Sequence, residues 1–324
     1  MSDIEQAINA PTTSATAAVI SPSQDEGTIP DLPFPLVDNG GSPAQPPFTQ
    51  PPVGGTPPPD EAGFEEEAQE QAFIYALGSI QVRFPTMSVE KEFAQAIKAR
   101  ETADLTDDEV VYDILKAHRY LAREVCWVLT IEGIEVYILI PPDAHGLDLL
   151  VEATKPTRRG IDCDVVIGTR GPLASPAMCN GLVVPLVLFD QVYSFSVPEL
   201  IQAIPRPRGI QEKRFRAAAE ELYYRIMQLA DNVGAMDEHR ALNYLAVRYP
   251  RIYDLTAEKF AENCSLQGVK VIPSRLSGTR RLLDVVLSYV NRKTDVVEKY
   301  YVRVDVTEKY PFLASKLAPF YDRV

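Results

Sequence analysis

The spacing of apolar residues predicts several amphipathic helices. In the segment 88–100, Val89, Phe93 and Ile97 recur every four residues, and Ser88 precedes them in the position of an N-cap. The same periodicity predicts helices at 107–123 (capped by Thr106 or Asp107), 211–234, 236–250 and 256–263, and shorter ones at 146–154 and 197–205.

Runs of β-branched and apolar residues predict strands between these helices. The first strand, 72–84, is expected to turn at Gly78, and Gly133 is expected to join the strands 124–131 and 133–142 as a hairpin. Further strands are predicted at 162–171, 181–195, 268–276, 281–292 and 298–310, the last two around a turn at 291–295. Because neighbouring strands pair through turns, we predict an α+β fold with mainly antiparallel strands rather than a doubly wound sheet.

Two changes in composition predict the domain boundaries. Residues 1–70 contain 13 of the 27 prolines and 12 acidic residues but no Lys or Arg, so they cannot bury enough apolar surface to fold. We predict a disordered, acidic, Pro-rich tail that acts as a tether or docks on a partner. Pro205, Pro207 and Gly209 then predict a boundary between two small mixed domains, 71–205 and 206–324, the second with helices before a three-stranded antiparallel sheet.

The distribution of charge and hydropathy bears on the class of partner. Residues 71–324 hold 33 acidic against 32 basic residues, which is not the basic excess that nucleic acid requires. The longest apolar runs, such as "GLVVPLVLF", are far shorter than the roughly 20 residues of a membrane-spanning helix, and no signal-peptide pattern opens the chain. We therefore expect a cytoplasmic protein that binds neither nucleic acid nor membrane.

The cysteines and histidines offer little metal chemistry. No two of the four cysteines form a C-x-x-C pair, and we interpret them as reduced thiols: Cys126, Cys163, Cys179 and Cys264. Zinc ligation by Cys163, Cys179 and His145 is conceivable, but close ligand pairs are missing, so no metal or cofactor is predicted. Asp162 and Asp164 flank Cys163 at alternate strand positions, and we interpret them as a solvated strand face.

The segment 236–250 concentrates polar residues in an apolar helix. Asp237 is expected to be the N-cap, His239 and Asn243 share one helix face, and Arg240 and Tyr244 share the adjoining one. An imidazole oriented by an amide could serve catalysis, yet no Ser or Cys nucleophile lies within a turn of it. We favour a structural network of these four residues over a catalytic role or a binding surface.

A basic cluster lies at the expected domain boundary. Five cations surround a single acidic residue, Glu212, in "RPRGIQEKRFR": Arg206, Arg208, Lys213, Arg214 and Arg216. The cluster is either a solvated linker or an interaction site for an acidic peptide. That peptide could be the chain's own "FEEEAQEQ" segment or part of a precursor peptide or partner.

Five strings spread along residues 72–324 resemble one known family. They are "FIYALGSI", "CNGLVVPLVLFDQVYSFS", "RALNYLA", "LLDVVLSYVNR" and "YYVRVDVTEKYPF". Together they resemble the C-terminal region, a domain of unknown function, of the cyanobactin maturation protease PatG family. The Asp…His…Ser order of that family's protease is absent from this sequence, and "SGTRRLLDV" lacks a cysteine found nearby in some relatives.

The resemblance implies a freestanding accessory region from the maturation of ribosomally made, post-translationally modified peptides. We expect a non-catalytic interaction protein that binds a precursor peptide or a modifying enzyme, and a second copy of the chain is a further candidate partner, in a homodimer. One alternative is an enzyme of unrecognised type that uses His145, Cys179 or Asp164. Another is a structural subunit for oligomerisation. No catalytic residue is assigned at this stage, because a family likeness alone does not establish function.

Overall fold

The computed structural model describes residues 72–99, 105–156, 162–204, 206–228 and 231–322, and the predicted tail 1–70 lies outside them. The helices are α1 Met87–Lys98, α2 Asp107–Ala117, α3 Arg119–Glu124, α4 Ala144–Ala153, α5 Val197–Ala203, α6 Glu212–Met227, α7 Asp237–Arg248 and α8 Arg251–Ala261. The strands are β1 Phe73–Arg83, β2 Cys126–Ile131, β3 Ile134–Ile140, β4 Asp162–Leu173, β5 Pro185–Ser196, β6 Cys264–Pro273, β7 Leu282–Asn291, β8 Val297–Asp305, β9 Phe312–Leu313 and β10 Ala318–Pro319.

The first five strands close into a barrel in the order β1-β2-β3-β5-β4. Neighbouring strands are antiparallel except β3 and β5, which pair in parallel. All six residues of β2 are buried, because the barrel interior covers one face and packed helices and loops cover the other. A hydrophobic cluster in this region includes Trp127, Tyr137 and Phe189.

Glycines act differently at the two turns predicted in this region. The hairpin between β2 and β3 is confirmed, with Glu132 and Gly133 both at positive φ. The turn predicted at Gly78 is wrong, since β1 runs through this residue as one strand. Gly78 is where β1 passes from pairing with β4 to pairing with β2, and a Cβ there would lie 2.5 Å from the Thr130 carbonyl oxygen. The glycine is therefore needed for close approach.

Several helix ends differ from the predictions by one or two residues. Thr86, not Ser88, caps α1, and its hydroxyl accepts a hydrogen bond from the Val89 amide. The predicted Thr106 cap of α2 is present as a capping box with Glu109. The helix predicted at 107–123 breaks at His118 into α2 and α3, and Asp237 is the first residue of α7 rather than its cap.

A second, antiparallel sheet has the order β10-β8-β7-β6, with β9 beside β8. Its central hairpin, β7–β8, turns at 292–296 as predicted. Helix α8 packs on β6, and α7 contacts both β1 of the barrel and β7 of the second sheet. The α+β class is confirmed, while the division into domains at 205–206 stays a prediction. Within the ranges given above, no helix has the length and apolar character needed to cross a bilayer.

The predicted state of two cysteines is wrong, because Cys126 and Cys179 form a disulfide with Cα atoms 6.1 Å apart. The bond fastens the loop between β4 and β5 to the first residue of β2. The spacing of the cysteines does not indicate this bond, since 53 positions separate the two residues. Cys163 and Cys264 are buried and are not part of this disulfide. A disulfide is unusual in the reducing cytoplasm predicted from the sequence.

Candidate functional site

Arg240 of α7 is buried, and both terminal nitrogens of its guanidinium contact oxygen atoms, while its Nε has no hydrogen-bond partner among the described residues. Its side chain is 1% exposed and lies 3.0 Å from Asp237 Oδ1. The guanidinium also donates to the carbonyl oxygens of Val306 at 2.9 Å, of Lys309 at 3.3 Å, and of Glu308. Burial lowers the Arg240 pKa, and the charge of Asp237 opposes this shift. The residue thus ties α7 to the segment that follows β8.

Asn243, one turn further along α7, connects the helix to the barrel. Its amide nitrogen donates to the Tyr75 carbonyl oxygen at 2.8 Å, and it exchanges two hydrogen bonds with the Asn232 side chain. The Tyr244 ring meets the Tyr75 ring edge-on, with centroids 6.4 Å apart. The Tyr75 amide also donates to the Gly234 carbonyl at 2.9 Å. The start of α7 is therefore joined to β1 by backbone and side-chain contacts.

His239 lies on the same helix but has no comparable network. It is 5% exposed, and its Nδ1 is buried without a hydrogen-bond partner among the described residues. Burial lowers its pKa, although Glu238 and Asp231 act in the opposite direction. Burial therefore favours the neutral imidazole over its charged form. Of the four α7 residues singled out from the sequence, Arg240 and Asn243 make the strongest contacts.

The structure does not assemble the other predicted chemical residues. His145 is exposed in the first turn of α4, Cys179 is in the disulfide, and Cys163 is buried in β4. In the part of the chain that the structure describes, no group of three His, Cys, Asp or Glu side chains is arranged to hold a metal ion.

Asp164 corrects the interpretation of a solvated strand face. It is 2% exposed, and its carboxylate accepts hydrogen bonds from the Ile80 amide at 2.6 Å and the Ser194 hydroxyl at 2.5 Å. The carboxylate thus links β4 to its neighbours β1 and β5. Strand alternation alone could not show this, because β4 has protein on both faces.

The predicted basic cluster is a surface feature. Arg206 and Arg208 lie in the loop before α6, and the other three cations lie in the first turns of that helix. All five side chains are exposed, and Arg216 forms an ion pair with Glu220 at 3.5 Å. Cations at a helix N-terminus oppose the helix dipole, and Gln211 makes no side-chain cap here. Local helix stability therefore does not account for this charge.

A groove that sequence reasoning missed lies where three elements meet. The start of β1, the first turn of α7 and the β6–β7 loop enclose about 520 Å³. Arg280 and Arg281 of the loop line it, opposite Asp237 and Glu238 of α7. The signal available in the sequence was the composition of the loop 274–281, which has three arginines and no acidic residue. We call this space the junction groove.

A smaller cavity lies beside the disulfide. It encloses about 380 Å³ between the end of α3, strands β2 and β3, and the start of α4. Its lining is mainly apolar and includes Cys126, Trp127 and Met178. The three charged residues that also line it, Arg123, Glu124 and Asp143, are all exposed. This cavity does not bring together a nucleophile and a base.

Comparison with known proteins agrees with this architecture. Residues 209–320 match the family described as PatG C-terminal. A solved structure described as "PatG Domain of Unknown Function" aligns with a TM-score of 0.63 and 20% sequence identity, covering 77% of this chain and 99% of that one. At this identity the likeness concerns the fold. No curated protein matches the chain. Residues 209–320 are therefore similar to the PatG C-terminal family, and the described part of the chain has the fold of a PatG domain of unknown function.

Proposed function

We propose that this protein is a non-catalytic accessory protein in the maturation of ribosomally made peptides, where it binds a precursor peptide or a modifying enzyme. The similarity to a PatG C-terminal region supplies the biological setting of the proposal. The basic cluster at the start of α6 is the observation on which it rests.

The basic cluster has the properties of a binding surface. Its five cations are exposed, and two of them, Lys213 and Arg214, lie in the first turn of α6, where positive charge is unfavourable. A surface that costs local stability is more readily explained by an acidic ligand than by folding. Long-range attraction to such a ligand would raise the association rate and be weakened by salt.

The burial of the candidate chemical groups supports binding rather than catalysis. Asp164 connects three strands, and Cys179 is in the disulfide. Arg240 and Asn243 join α7 to its neighbours. An enzyme would instead place such groups around a space where a substrate can enter.

Charge reversal tests the proposal. The test variant combines Arg206→Glu, Arg208→Glu, Lys213→Glu, Arg214→Glu and Arg216→Glu. Fluorescence anisotropy would measure binding of a labelled precursor peptide of the cyanobactin type and, separately, of a labelled modifying enzyme. We expect the affinity for one of them to fall by about tenfold or more and its dependence on salt to flatten. Acidic residues favour a helix N-terminus, so α6 should remain folded.

A control variant carries the same change in net charge at five other exposed cations: Lys91→Glu, Lys270→Glu, Arg292→Glu, Lys293→Glu and Lys316→Glu. It should bind within roughly twofold of the unmodified protein, because these cations lie outside the basic cluster. If both variants lose the same affinity, the loss is due to the change in net charge and not to the basic cluster. If the unmodified protein binds neither ligand, the proposed function is wrong.

A further inference from the structure

The junction groove is located where the described part of the chain begins, directly after the acidic residues of the tail in sequence. Ala72 and Phe73, the first described residues, line the groove. The preceding segment, 60–71, contains six acidic residues and no basic one. We propose that this acidic segment binds in the junction groove of its own chain and so competes with acidic peptides from outside. The inference concerns a surface other than the basic cluster and does not depend on the proposed function.

The β6–β7 loop provides charge complementarity to the segment. The side chain of Arg280 is 64% exposed, and its only close carboxylate in the described residues, Asp305 Oδ2, is 3.5 Å away. Arg275, in the same loop, is also exposed. Arg281 is more engaged, since it lies 3.4 Å from Asp237 Oδ2 and donates to the Thr307 carbonyl oxygen at 2.9 Å. The loop thus offers a positive edge in which Arg275 and Arg280 are accessible.

The acidic side of the groove does not cancel this attraction. Asp237 is held by Arg240 at 3.0 Å and by Arg281 at 3.4 Å, so its charge is compensated within the protein. Glu238 remains as the acidic residue on that side. The carboxylates of the bound segment should therefore lie toward the β6–β7 loop and away from Glu238.

The length of the connection makes the contact easy to form. Glu70 is two residues before Ala72, and an extended chain covers at most about 3.6 Å per residue, so Glu70 begins within about 7 Å of the groove. A short tether gives an effective concentration in the mM range, so a weak, charge-dominated contact is populated. Met236 is 52% exposed on the groove lining and offers apolar surface to Phe64 of the segment.

The division of acidic residues within the tail provides a matched test in the full chain. One variant neutralises the six residues of the segment as Asn or Gln: Asp60, Glu61, Glu65, Glu66, Glu67 and Glu70. The control neutralises the other six: Asp3, Glu5, Asp25, Glu26, Asp31 and Asp38. The probe is a labelled synthetic peptide of residues 60–71, and its binding is followed by fluorescence anisotropy. We expect about tenfold tighter binding to the first variant and no change in the control, because only the first vacates the groove.

A second pair of substitutions locates the contact. Adding Arg275→Glu and Arg280→Glu to the first variant should abolish binding of the labelled peptide, whereas reversing the basic cluster in that variant should leave it within roughly twofold. The opposite result would place the acidic segment on the basic cluster and overturn the inference while leaving the proposed function intact. Equal effects of the two tail neutralisations, or no binding to the first variant, would also overturn it.

Discussion

At the scale of single residues, α7 shows what apolar periodicity can and cannot predict. The spacing of Leu242, Leu245 and Ala246 indicated the buried side of this helix, and all three are buried. It gave no indication that Arg240 and Asn243 are equally buried. Their partners, the Val306 and Tyr75 backbone carbonyls, come from segments distant in the sequence. Burial of a polar residue depends on such partners, which periodicity does not contain.

The buried His239 leads to a prediction about pH. Burial lowers its pKa in the folded state, so the unfolded chain takes up the proton first as the pH falls below the usual value of about 6.5. The free energy of unfolding should therefore decrease between pH 7.5 and pH 5.5 because of this residue. The substitution His239→Leu removes the titrating group without adding a buried polar atom, and should make the decrease smaller.

Chemical denaturation at the two pH values measures this difference. Comparison with the unmodified protein cancels other titrations, including that of Asp254, whose burial raises its pKa and acts with the opposite sign. His145→Leu, at an exposed histidine, is the matched control for the loss of a histidine side chain. If His239→Leu keeps the pH dependence of the unmodified protein, the buried imidazole does not titrate as we describe.

At the scale of elements, two glycines in β4 differ in how closely the backbone of the neighbouring strand approaches them. A Cβ at Gly168 would lie 2.4 Å from the Leu188 carbonyl oxygen and 2.6 Å from the Phe189 Cα, both backbone atoms of the neighbouring strand. At Gly171, in the same strand, the nearest atom would be 3.6 Å away. We expect Gly168→Ala to lower the free energy of unfolding by about 1–3 kcal/mol, as overpacking does.

Gly171→Ala is the matched control and should change stability by no more than about 0.5 kcal/mol. Urea denaturation monitored by tryptophan fluorescence suits both variants, because Trp127 is buried in the barrel core. A stable Gly168→Ala protein would mean that β4 and β5 can separate at the register shift beside Gly168 without cost.

The elements themselves were more predictable from sequence than their ends. The β2–β3 and β7–β8 hairpins follow from local turn chemistry. In the β2–β3 hairpin, two residues at positive φ are enough to reverse the direction of the chain. The cap of α1 was misplaced because Thr86 and Ser88 are both suitable, and only backbone conformation decides between them. The break at His118 could not be foreseen, because the apolar pattern continues through it.

At the scale of the whole molecule, closure of the barrel depends on the least local contacts. The parallel pairing of β3 with β5 joins residues 138–140 to 186–188, and β1 closes the barrel against β4. Sequence patterns identify strands but not partners so far apart, so the α+β class was predictable and the barrel was not. The loop between β4 and β5 lies beside this closure and is fastened to β2 by the disulfide.

That disulfide gives the prediction with the broadest effect. Cross-linking residues 53 positions apart restricts the unfolded chain, which in the chain-entropy model stabilises the folded state by about 4 kcal/mol. We expect the variant Cys126→Ala with Cys179→Ala to lose stability of that order, because its folded state keeps the barrel while its unfolded chain gains freedom.

Reductant should destabilise the unmodified protein similarly and leave the variant unaffected. Calorimetry with and without reductant distinguishes these outcomes. If reductant changes neither melting temperature, Cys126 and Cys179 are not bonded in solution. The prediction from the sequence that both are reduced thiols would then be correct.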